Sequence, residues 1–494
     1  MVGRLGVSTS GVATRGEWRV RADYSRVVTS LFLPGQDLGE ESATRVSATL
    51  QRVMAMSDSD VADTLHDLSS RFGDRHDDLA QIFRQNATRV HPHLGSPMSS
   101  QRYELLGAVF THEITLEGSG ICNPSVVPHL DQRSLAPGEQ RVIMSYRAIG
   151  EGHLSTICFR TGVVTSRGDF RLDAPSAHPT TPTIHRGTVS KRLVRALLFD
   201  SHLDSETAAW ILHHLGDEFT EAELNEAIVR MDHESDLRLH LITTSSTLRT
   251  MAANFYQSHF DETTDVSQRV LMPTTPAESR GLEDARFVLT DAQTGRYRAT
   301  CAAYDGHSVT QKLIETDDFR TFTFSPLAGR GARNKGLALF PRRVRGRHVA
   351  LSRLDHVSNY VTFSDDGRRW DEVYPIPNPA SAWSMLQVGN CGSPLELPEG
   401  WLVLTHGIGP MRTYSIGALL LDLDDPTRVV AYVPEPLLTP IPDEQDGYVP
   451  NVLYSCGALL WAGTVIIPIG IADQSLGYAT ITLEVLREHL TPVA

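Results

Sequence analysis

Two short motifs carry side chains that could move a proton and hold an anion. The first, residues 281–287, contains the adjacent carboxylates Glu283 and Asp284. The second begins later in the chain with Asn334 and Lys335. Apolar residues typical of short strands accompany both motifs, so the strands would place a carboxylate pair and a cation at their ends.

Lysine is rare in this chain, in which 45 residues are Lys or Arg but only Lys191, Lys312 and Lys335 are lysine. The lysine ammonium is a compact point charge, whereas the arginine guanidinium is a planar fork. A lysine that is kept inside a well-formed motif therefore indicates that the motif needs a point charge. The alternative is an ordinary surface lysine.

The composition is that of an ordinary globular protein and excludes several classes of partner. The chain has 494 residues, of which 41% are hydrophobic and 21% charged, enough for two or three domains and a large core. The formal net charge of -14 argues against nucleic acid or an anionic membrane as the main partner, because both require a basic surface.

The cysteines and the hydropathy pattern bear on metal binding and location. The 5 cysteines are scattered without CxxC spacing, which argues against a disulfide framework and against a zinc site. No apolar segment is long enough to cross a bilayer, and no apolar signal region stands near the N-terminus. The sequence therefore predicts a cytoplasmic protein without a metal.

The chain is predicted to begin with helices and to continue as a mainly β protein. Apolar residues recur at helical spacing between residues 40 and 90, whereas short β-prone runs separated by turn residues dominate from about residue 105. We therefore predict an N-terminal helical segment at 1–104 and a β domain at 105–494. A helical pattern at about 188–258, which includes a Thr220 and Glu223 capping box, predicts an insertion in or after the first repeat of this domain.

The β part repeats itself loosely. Comparable units, each a polar or small residue followed by two apolar strands with a Gly turn between them, begin near Asn123, Glu283, Lys335, Ser393 and Asn451. Periods of about 50 residues are typical of propeller blades. The sequence predicts a five-bladed β-propeller, with a two-sheet sandwich as the alternative.

In a propeller the innermost strands run towards one mouth of the central channel, so polar residues at the starts of the units converge. The residues expected to face this pocket or its rim are Asn123, Arg147, Asp284, Lys335, Arg353, His406 and Asp473. Such a pocket would hold few carboxylates and several cations.

This balance of charges distinguishes two reactions. Inverting hydrolysis of a glycoside requires one carboxylic acid and one carboxylate that activates water. Inverting phosphorolysis requires only the acid, because phosphate is itself a nucleophile and is held by cationic donors. Asp284 can supply the acid, and Lys335, Arg353 and His406 can supply the anion site. Alternatively, residues 283–286 could form an ion pair that closes a blade.

Several ordered motifs resemble those of glycoside hydrolase family 130, which comprises β-mannoside phosphorylases and related mannosidases. The similarity runs from about residue 105 to 490, outside the helical insertion. The motifs are Asn123-Pro124, Tyr146-Arg147, residues 281–286, Tyr304-Asp305-Gly306, Asn334-Lys335, Gly392-Ser393-Pro394, Thr405-His406-Gly407, residues 451–457 and Ala472-Asp473. The resemblance implies a five-bladed β-propeller fold.

The resemblance also implies roles for individual residues. Asp284 would be the general acid, acting through the 3-hydroxyl of the sugar. The mannosyl unit would be bound by Asn123, Arg147, Glu283 and Asp473, and the cationic phosphate site would consist of Lys335, Arg353 and His406. Phosphate would attack the anomeric carbon with inversion and release α-mannose 1-phosphate, and the reverse reaction would extend a β-mannoside. Inorganic phosphate would be a co-substrate, and no cofactor is expected.

Two positions depart from the common family pattern. Ala285 stands where a proline commonly follows the catalytic aspartate, and Gly336 stands where an acid commonly follows the motif lysine. With the helical N-terminus, both departures resemble a longer subgroup that includes β-1,2-oligomannan phosphorylases and the mannan-forming transferase/phosphorylases of protozoan parasites. The expected linkage is therefore β-1,2, and the missing acid beside Lys335 favours phosphorolysis over hydrolysis.

Three alternative functions remain open at this point. They are a β-mannosidase that uses water, a mannosyltransferase that uses a nucleotide sugar, and a non-catalytic carbohydrate-binding propeller. The absence of a Gly-rich nucleotide fingerprint counts against the transferase. The expected partners are manno-oligosaccharide and phosphate, and neither nucleic acid nor a membrane. The helical segments could cap the channel, lengthen the acceptor groove or form a homo-oligomer interface.

Overall fold

The structure is a computed structural model that describes residues 11–34, 40–90, 98–234, 241–377 and 381–493. It is mainly β, because its strands contain more residues than its helices. The prediction of a mainly β protein is confirmed.

The helices lie in two stretches of the chain and near its end. They are α1 (Glu40–Ala55), α2 (Asp58–Phe72), α3 (Leu79–Val90), α4 (Ser100–Val109), α5 (Lys191–Asp200), α6 (Glu206–His213), α7 (Glu221–Glu234), α8 (Leu241–Ala253) and α9 (Leu483–His489). Helices α1 to α3 lie within the segment that was predicted to be helical, and α5 to α8 lie within the predicted insertion.

The strands are distributed along the rest of the chain. The first half contains β1 (Thr14–Arg15), β2 (Val20–Arg21), β3 (Val27–Leu31), β4 (Thr111–Thr115), β5 (Gly120–Pro128), β6 (Glu139–Ile149), β7 (Ser155–Thr165), β8 (Phe170–Leu172), β9 (Thr183–Arg186), β10 (Val189–Ser190), β11 (Glu218–Phe219), β12 (Tyr256–His259), β13 (Val270–Leu271), β14 (Gly281–Asp291), β15 (Arg296–Tyr304) and β16 (Val309–Thr316). The second half contains β17 (Thr321–Pro326), β18 (Ala338–Leu339), β19 (His348–Ser352), β20 (Tyr360–Ser364), β21 (Glu372–Pro375), β22 (Gln387–Asn390), β23 (Leu395–Leu397), β24 (Gly400–Ile408), β25 (Tyr414–Leu421), β26 (Val429–Tyr432), β27 (Leu453–Tyr454), β28 (Leu459–Trp461), β29 (Thr464–Ile471), β30 (Ser475–Thr482) and β31 (Thr491–Pro492).

The chain divides into two compact units. The larger contains Met1–Ala22, Ser119–Pro175 and Thr181–Ala494, and the smaller contains Asp23–Gly118 and Ser176–Thr180. The domain boundaries predicted from the sequence, 1–104 and 105–494, stay predictions.

The smaller unit is built from α1 to α4 and the antiparallel pair β3 and β4. Its core is a cluster of aliphatic and aromatic side chains: Leu50, Val53, Val61, Val90, Leu105, Leu106 and Phe110. Ser57 caps α2 as its position in the sequence predicts, because its hydroxyl accepts a hydrogen bond from the Asp60 amide at 3.1 Å.

The larger unit consists of successive antiparallel groups of strands. One continuous sheet contains β5 to β8 and then β14 to β17, with β12 and β9 added beyond β17. The groups that follow are β18 to β21, then β22 to β26 with β31, and then β27 to β30. The short strands β1 and β2 both pair with β30, so the beginning of the chain contributes to the last group.

Alternation along the strands distributes side chains between neighbouring cores. On β24, Leu402 and Leu404 belong to the core shared with β29 and β30, whereas Trp401 and Val403 belong to the core shared with β19 and β20. Successive residues of a strand point to opposite faces, so a strand that is apolar at every position is buried on both sides. The fully buried β24 is such a strand.

The helical insertion has its own core, formed by residues of α5 to α8. The predicted capping box is confirmed: Glu223 accepts a hydrogen bond from the Thr220 amide at 2.7 Å, and the Thr220 hydroxyl accepts one from the Glu223 amide at 3.3 Å. Across the described ranges, no helix combines the length and the apolar character that crossing a membrane requires.

Candidate active site

Two bulged strands carry the central pair of polar side chains. The pairing of β5 with β6 shifts register between Cys122 and Ser125, and the pairing of β14 with β15 shifts between Glu283 and Arg286. Asn123 and Asp284 lie within these irregularities with φ of 52° and 57°. Asn and Asp tolerate this left-handed conformation better than most residues, and a bulge redirects the side chain. The side-chain amide of Asn123 (Nδ2) consequently donates a hydrogen bond to Asp284 Oδ1 at 2.5 Å.

The predicted residues come together around one cavity of about 260 Å³. Its lining consists of Asn123, Arg147, Asp284, Arg286, Lys335, Arg353, Gln387, His406, Arg412, Tyr414, Val449, Val452, Tyr454 and Asp473. Seven of the eight residues singled out in the sequence are in this lining. Their functional roles stay predictions at this point.

The eighth residue, Glu283, lies behind the lining and is 4% exposed. Its carboxylate accepts one hydrogen bond from Arg147 at 2.7 Å and another from the ammonium of Lys335. Glu283 therefore positions two cations that line the cavity. The two adjacent carboxylates therefore differ in position: Asp284 lines the cavity, and Glu283 contacts Arg147 and Lys335 behind the lining.

Asp284 is held in its ionised form by neighbouring cations. Burial by itself raises the pKa of this carboxyl, but Arg147, Arg286 and Lys335 outweigh burial and lower the pKa to about 2. Arg147 lies 3.4 Å from Asp284 Oδ1, and Arg286 donates to the backbone carbonyl of Asp284 at 2.8 Å.

The pKa of Asp473 is shifted in the opposite direction. Burial raises its pKa to about 6, and Arg147 opposes this effect only in part while Asp284 adds to it. The cavity therefore holds two carboxylates with well-separated pKa values, an arrangement typical of sites that perform acid–base chemistry.

The raised pKa of Asp473 predicts a pH-dependent effect on stability. Ionising Asp473 is harder in the folded than in the unfolded chain, so the folded state loses stability as the pH rises from 3.8 through 6. We expect Asp473→Asn to increase the free energy of unfolding above pH 6 and to leave it unchanged below pH 3.8. Urea unfolding at both pH values measures this difference. The exposed Asp424→Asn is the matched control, and an equal gain for Asp473→Asn at both pH values would contradict the assignment.

His406 lines the cavity as a neutral ring. Burial lowers its pKa well below the ordinary value, and Arg353 and Arg286 lower it further. His406 was predicted to belong to a cationic set, and its neutral ring differs from that prediction in charge. The reason is physical, because a fully buried imidazole near two guanidinium groups does not gain a third positive charge.

Three buried nitrogen atoms of the lining have no hydrogen-bond partner within the described parts of the chain. They are Arg286 Nε, Arg353 Nε and His406 Nε2. Buried polar atoms are almost always satisfied, so these three nitrogen atoms are exceptions that lie beside one cavity.

Glycine at two positions allows these side chains to pack closely against the backbone. A Cβ on Gly389 would lie 2.2 Å from His406 Cε1 and 2.9 Å from Arg353 Nε, so the imidazole ring and the guanidinium already occupy the position over Gly389. A Cβ on Gly336 would lie 2.7 Å from Arg353 Cδ. The glycine that departs from the family pattern thus accommodates the Arg353 side chain.

The sequence analysis gave no role to several residues of the lining, above all Arg286 and Tyr454. Arg286 is 1% exposed and donates to the Tyr454 hydroxyl at 3.0 Å. Arg286 stands two residues after Asp284, and Tyr454 stands within the motif 451–457, so their places inside known motifs could have identified them. No such motif contains Arg412, because its place in the lining depends on a turn in which its own φ is 54°.

No group of three or more His, Cys, Asp or Glu residues in the described ranges could hold a metal ion. All 5 cysteines are buried thiols.

Comparisons with known proteins agree with this chemistry. The model of the family described as beta-1,4-mannooligosaccharide phosphorylase matches residues 225–490. The 1,2-beta-oligomannan phosphorylase of Thermoanaerobacter sp. (strain X514) is 31% identical over 229 residues, which cover 44% of this chain and 74% of that protein. The beta-1,2-mannobiose phosphorylase of Listeria innocua serovar 6a is 31% identical over 233 residues, which cover 44% of this chain and 63% of that protein.

A solved structure of beta-1,2-mannobiose phosphorylase from Listeria innocua in complex with beta-1,2-mannobiose is 19% identical, covers 76% of this chain and 92% of its own, and has a TM-score of 0.45. The family match includes Asp284, Lys335 and His406, whereas Asn123 and Arg147 precede it and join the site only in the folded structure. Because the match spans more than half of the sequence, this chain belongs to glycoside hydrolase family 130.

Proposed function

We propose that the chain is an inverting glycoside phosphorylase for β-mannosides. Its preferred substrates are β-1,2-linked manno-oligosaccharides, its product is α-mannose 1-phosphate, and it also catalyses the reverse synthesis. The names of the relatives, 1,2-beta-oligomannan phosphorylase and beta-1,2-mannobiose phosphorylase, support the substrate class. The observation that carries the proposal is the set of unpartnered Arg286, Arg353 and His406 nitrogen atoms in the cavity that also contains Asp284.

The charges of the cavity favour phosphate over water as the nucleophile. Among the described residues of the lining, five are Arg or Lys and two are Asp. Hydrolysis would require a second carboxylate free to activate water. Glu283 does not supply it, because Arg147 and Lys335 occupy its oxygen atoms, and we assign the other carboxylate of the lining, Asp473, to the mannosyl unit. A cationic lining instead holds an anion in place for attack.

In this proposal a phosphate oxygen forms a bond to the anomeric carbon while the bond to the leaving oxygen breaks on the opposite face. The leaving oxygen needs one proton, which Asp284 passes through the 3-hydroxyl of the sugar. Binding of an anion offsets the positive charge of Lys335 and Arg286 and so raises the pKa of Asp284 towards its working range. Hydrogen phosphate brings one proton into the site, Asp284 regains this proton after it has given up its own, and the released alcohol carries one proton out, so the protons balance.

The remaining residues divide between the two ligands. Asn123, Arg147 and Asp473 bind the mannosyl unit, and Glu283 holds Arg147 in position for it. Lys335, Arg353 and His406 bind phosphate, and no cofactor takes part. The enzyme acts in the cytoplasm, and its helical segments are candidates for a homo-oligomer interface.

We also propose that the larger unit is a five-bladed β-propeller whose last blade is completed by β1 and β2. The continuous sheet divides between β7 and β14 into two groups, which with the three that follow make five. Each group carries a residue with left-handed backbone at or near its first strand, and these residues are Asn123, Asp284, Asn334, Gly392 and Asn451. Their spacing follows the units predicted from the sequence. Ring closure is supported by a parallel bridge between Ser125 of the first group and Gly457 of the last. In this arrangement 105–494 supplies most of the catalytic domain, and 1–104 contributes β1 and β2 to its last blade in addition to the helical segment.

A phosphate-release assay tests the proposed function. The purified full chain, mixed with mannose 1-phosphate and an acceptor, should release inorganic phosphate, because the cationic lining stabilises the phosphate leaving group in the synthetic direction. The acceptors to compare are mannose, mannobiose, glucose and N-acetylglucosamine. In the other direction, β-1,2-mannobiose should be consumed only when phosphate is present.

Each alternative function predicts a different result in the same assays. Release of mannose from mannobiose without phosphate would show a mannosidase. Transfer from GDP-mannose but not from mannose 1-phosphate would show a transferase. Binding of mannobiose without turnover of any donor would show a carbohydrate-binding protein and would contradict the proposal.

A further inference from the structure

Exposed apolar side chains lie beside the opening of the cavity. Three residues of the lining have exposed surface, and these are Arg353, Gln387 and Arg412. They mark the opening, because other residues of the lining, such as Arg286 and His406, are buried. Exposed apolar residues within four positions of these three form a set that we call the apolar rim: Val357 (52% exposed), Met385 (74%), Leu386 (59%) and Met411 (86%). The apolar rim therefore borders the opening of the site.

The apolar rim lies on three neighbouring segments that backbone hydrogen bonds hold together. These segments are the turn after β19, the residues around the start of β22 and the turn after β24. The Val388 amide donates to the Val357 carbonyl at 2.8 Å, and the Leu386 amide donates to the Ile408 carbonyl at 2.9 Å. Single exposed apolar residues are ordinary, whereas a group of them beside a cavity marks a binding surface. The apolar rim is such a group.

The backbone at Met411 indicates that this exposed side chain does not serve the fold. Met411 has φ of 55° and Arg412 has φ of 54°, a left-handed conformation that is unfavourable for a residue with a Cβ. The turn after β6 repeats this conformation, and there Gly152, with φ of 65°, takes the place of Met411. Glycine meets the demand of such a turn without strain. A methionine at this position, with 86% of its surface exposed, therefore indicates a role in binding.

The side chains of the apolar rim cannot hold further sugar rings by hydrogen bonds. Aliphatic groups neither donate nor accept them, and the methionine thioether is only a weak acceptor. A sugar hydroxyl pressed against such side chains loses water without gaining a partner, which costs free energy. A hydrocarbon chain gains free energy from the same contact, and flexible methionine side chains adapt to its shape. The chemistry of the rim therefore fits a hydrocarbon chain.

The size of the cavity places this chain on the acceptor. The cavity has a volume of about 260 Å³, below the range of about 300–1,000 Å³ that is typical of pockets for drug-sized ligands. It is therefore suited to one mannosyl unit with phosphate, and the acceptor has to lie at the opening. The donor bonds to a hydroxyl of the acceptor and not to its reducing end, so a chain attached to the reducing end points away from the cavity and can lie on the rim.

We propose that the acceptor is a mannoside that carries a hydrocarbon chain at its reducing end, and that the apolar rim binds this chain. The inference deepens the proposed phosphorylase function and rests on it, because the cavity has to supply the mannosyl donor. In the synthetic direction, a hydroxyl oxygen of the mannoside bonds to the anomeric carbon of mannose 1-phosphate while the bond from this carbon to the phosphate oxygen breaks. The proton of that hydroxyl passes to Asp284 and leaves the site on hydrogen phosphate.

Initial rates of phosphate release from mannose 1-phosphate test the proposal, with the purified full chain and either methyl or octyl β-mannoside as the acceptor. The octyl compound is kept below its micellar concentration. We expect its KM to be at least about 10-fold lower than that of the methyl compound, because burial of about two methylene groups gives a factor of this size. Equal KM values would overturn the inference and leave the phosphorylase proposal standing. A chain that releases no phosphate with either compound, with mannose or with mannobiose would overturn both.

Substitutions in the rim test whether this surface binds the octyl chain. The double variant Met385→Gln with Met411→Asn replaces two exposed apolar side chains by polar ones, and Asn tolerates the left-handed backbone of Met411. We expect the two KM values to come within about 3-fold of each other in this variant. Ile242→Gln is the matched control, because it changes an apolar residue of α8 that is 88% exposed, and it should keep the KM ratio of the unsubstituted chain. An unchanged ratio in the folded double variant would overturn the inference.

Discussion

Asp284→Asn is expected to lower turnover by about 1,000-fold or more in both phosphorolysis and synthesis. An amide cannot pass a proton to the leaving oxygen, and no other carboxylate of the lining shares the position of Asp284 between Asn123 and Arg147. The amide oxygen can still accept the hydrogen bond from Asn123, so the geometry of the bulge is preserved.

Loss of turnover in this variant should not be accompanied by loss of phosphate binding. The substitution removes a negative charge from a cluster that contains Arg147, Arg286 and Lys335. The remaining charges attract an anion more strongly, so phosphate should bind at least as tightly as to the unsubstituted chain. Initial rates of phosphate release and calorimetric titration with phosphate measure the two effects separately.

The same strand offers a control for this substitution. Asp291 lies at the far end of β14 and accepts hydrogen bonds from the amides of Gln293 and Thr294 in a turn. Asp291→Asn keeps an acceptor oxygen there and should turn over like the unsubstituted chain. If Asp284→Asn retained a tenth of the activity, or lost phosphate binding together with activity, Asp284 would not be the acid.

The spacing of polar residues in the sequence predicted which side chains meet, because the period of the units carries this information. Residues as distant as Asn123 and Asp473 line one cavity, as expected if equivalent positions of repeated units converge. The charge of His406 was not predictable in the same way. It depends on burial and on Arg353 and Arg286, which come close only when separate strands assemble.

The short strands near the N-terminus are a second feature that could not be predicted from the sequence. Strands β1 and β2 contain two residues each, too few for alternation of apolar and polar side chains to be visible. They form strands because they pair with the edge of β30. No local pattern in the sequence distinguishes such residues from a loop.

All three lysines of this rarely lysine-containing chain make specific contacts, and not only the lysine of the proposed anion site. Lys191 donates to the Leu215 carbonyl at 2.5 Å, Lys312 is fully buried against Glu278, and Lys335 donates to Glu283. Each lysine therefore makes a specific contact in which a single small donor is suited to the space. The prediction that Lys335 meets a requirement for a point charge in its motif stays a prediction, and phosphate binding by Lys335 remains a proposal.

The buried contact between Lys312 and Glu278 is expected to contribute strongly to the stability of the fold. Lys312 and Glu278 have no exposed side-chain surface, and Glu278 also accepts hydrogen bonds from the Tyr256 hydroxyl at 2.9 Å and the Thr275 amide at 3.0 Å. Lys312→Met removes the cation and leaves a buried carboxylate without its countercharge. We expect the free energy of unfolding to fall by about 3–5 kcal/mol, measured by urea denaturation.

Two further variants show whether the unpaired charge causes this loss. Glu278→Gln combined with Lys312→Met removes both charges, so it should recover a large part of the stability that Lys312→Met loses, because a buried pair replaced as a whole costs far less than a broken pair. Lys191→Met removes a half-buried donor to a carbonyl and should cost only about 1 kcal/mol. A double variant less stable than Lys312→Met would mean that packing around Tyr256, and not the charge of Glu278, sets the stability of the segment that leads into β14 and Asp284.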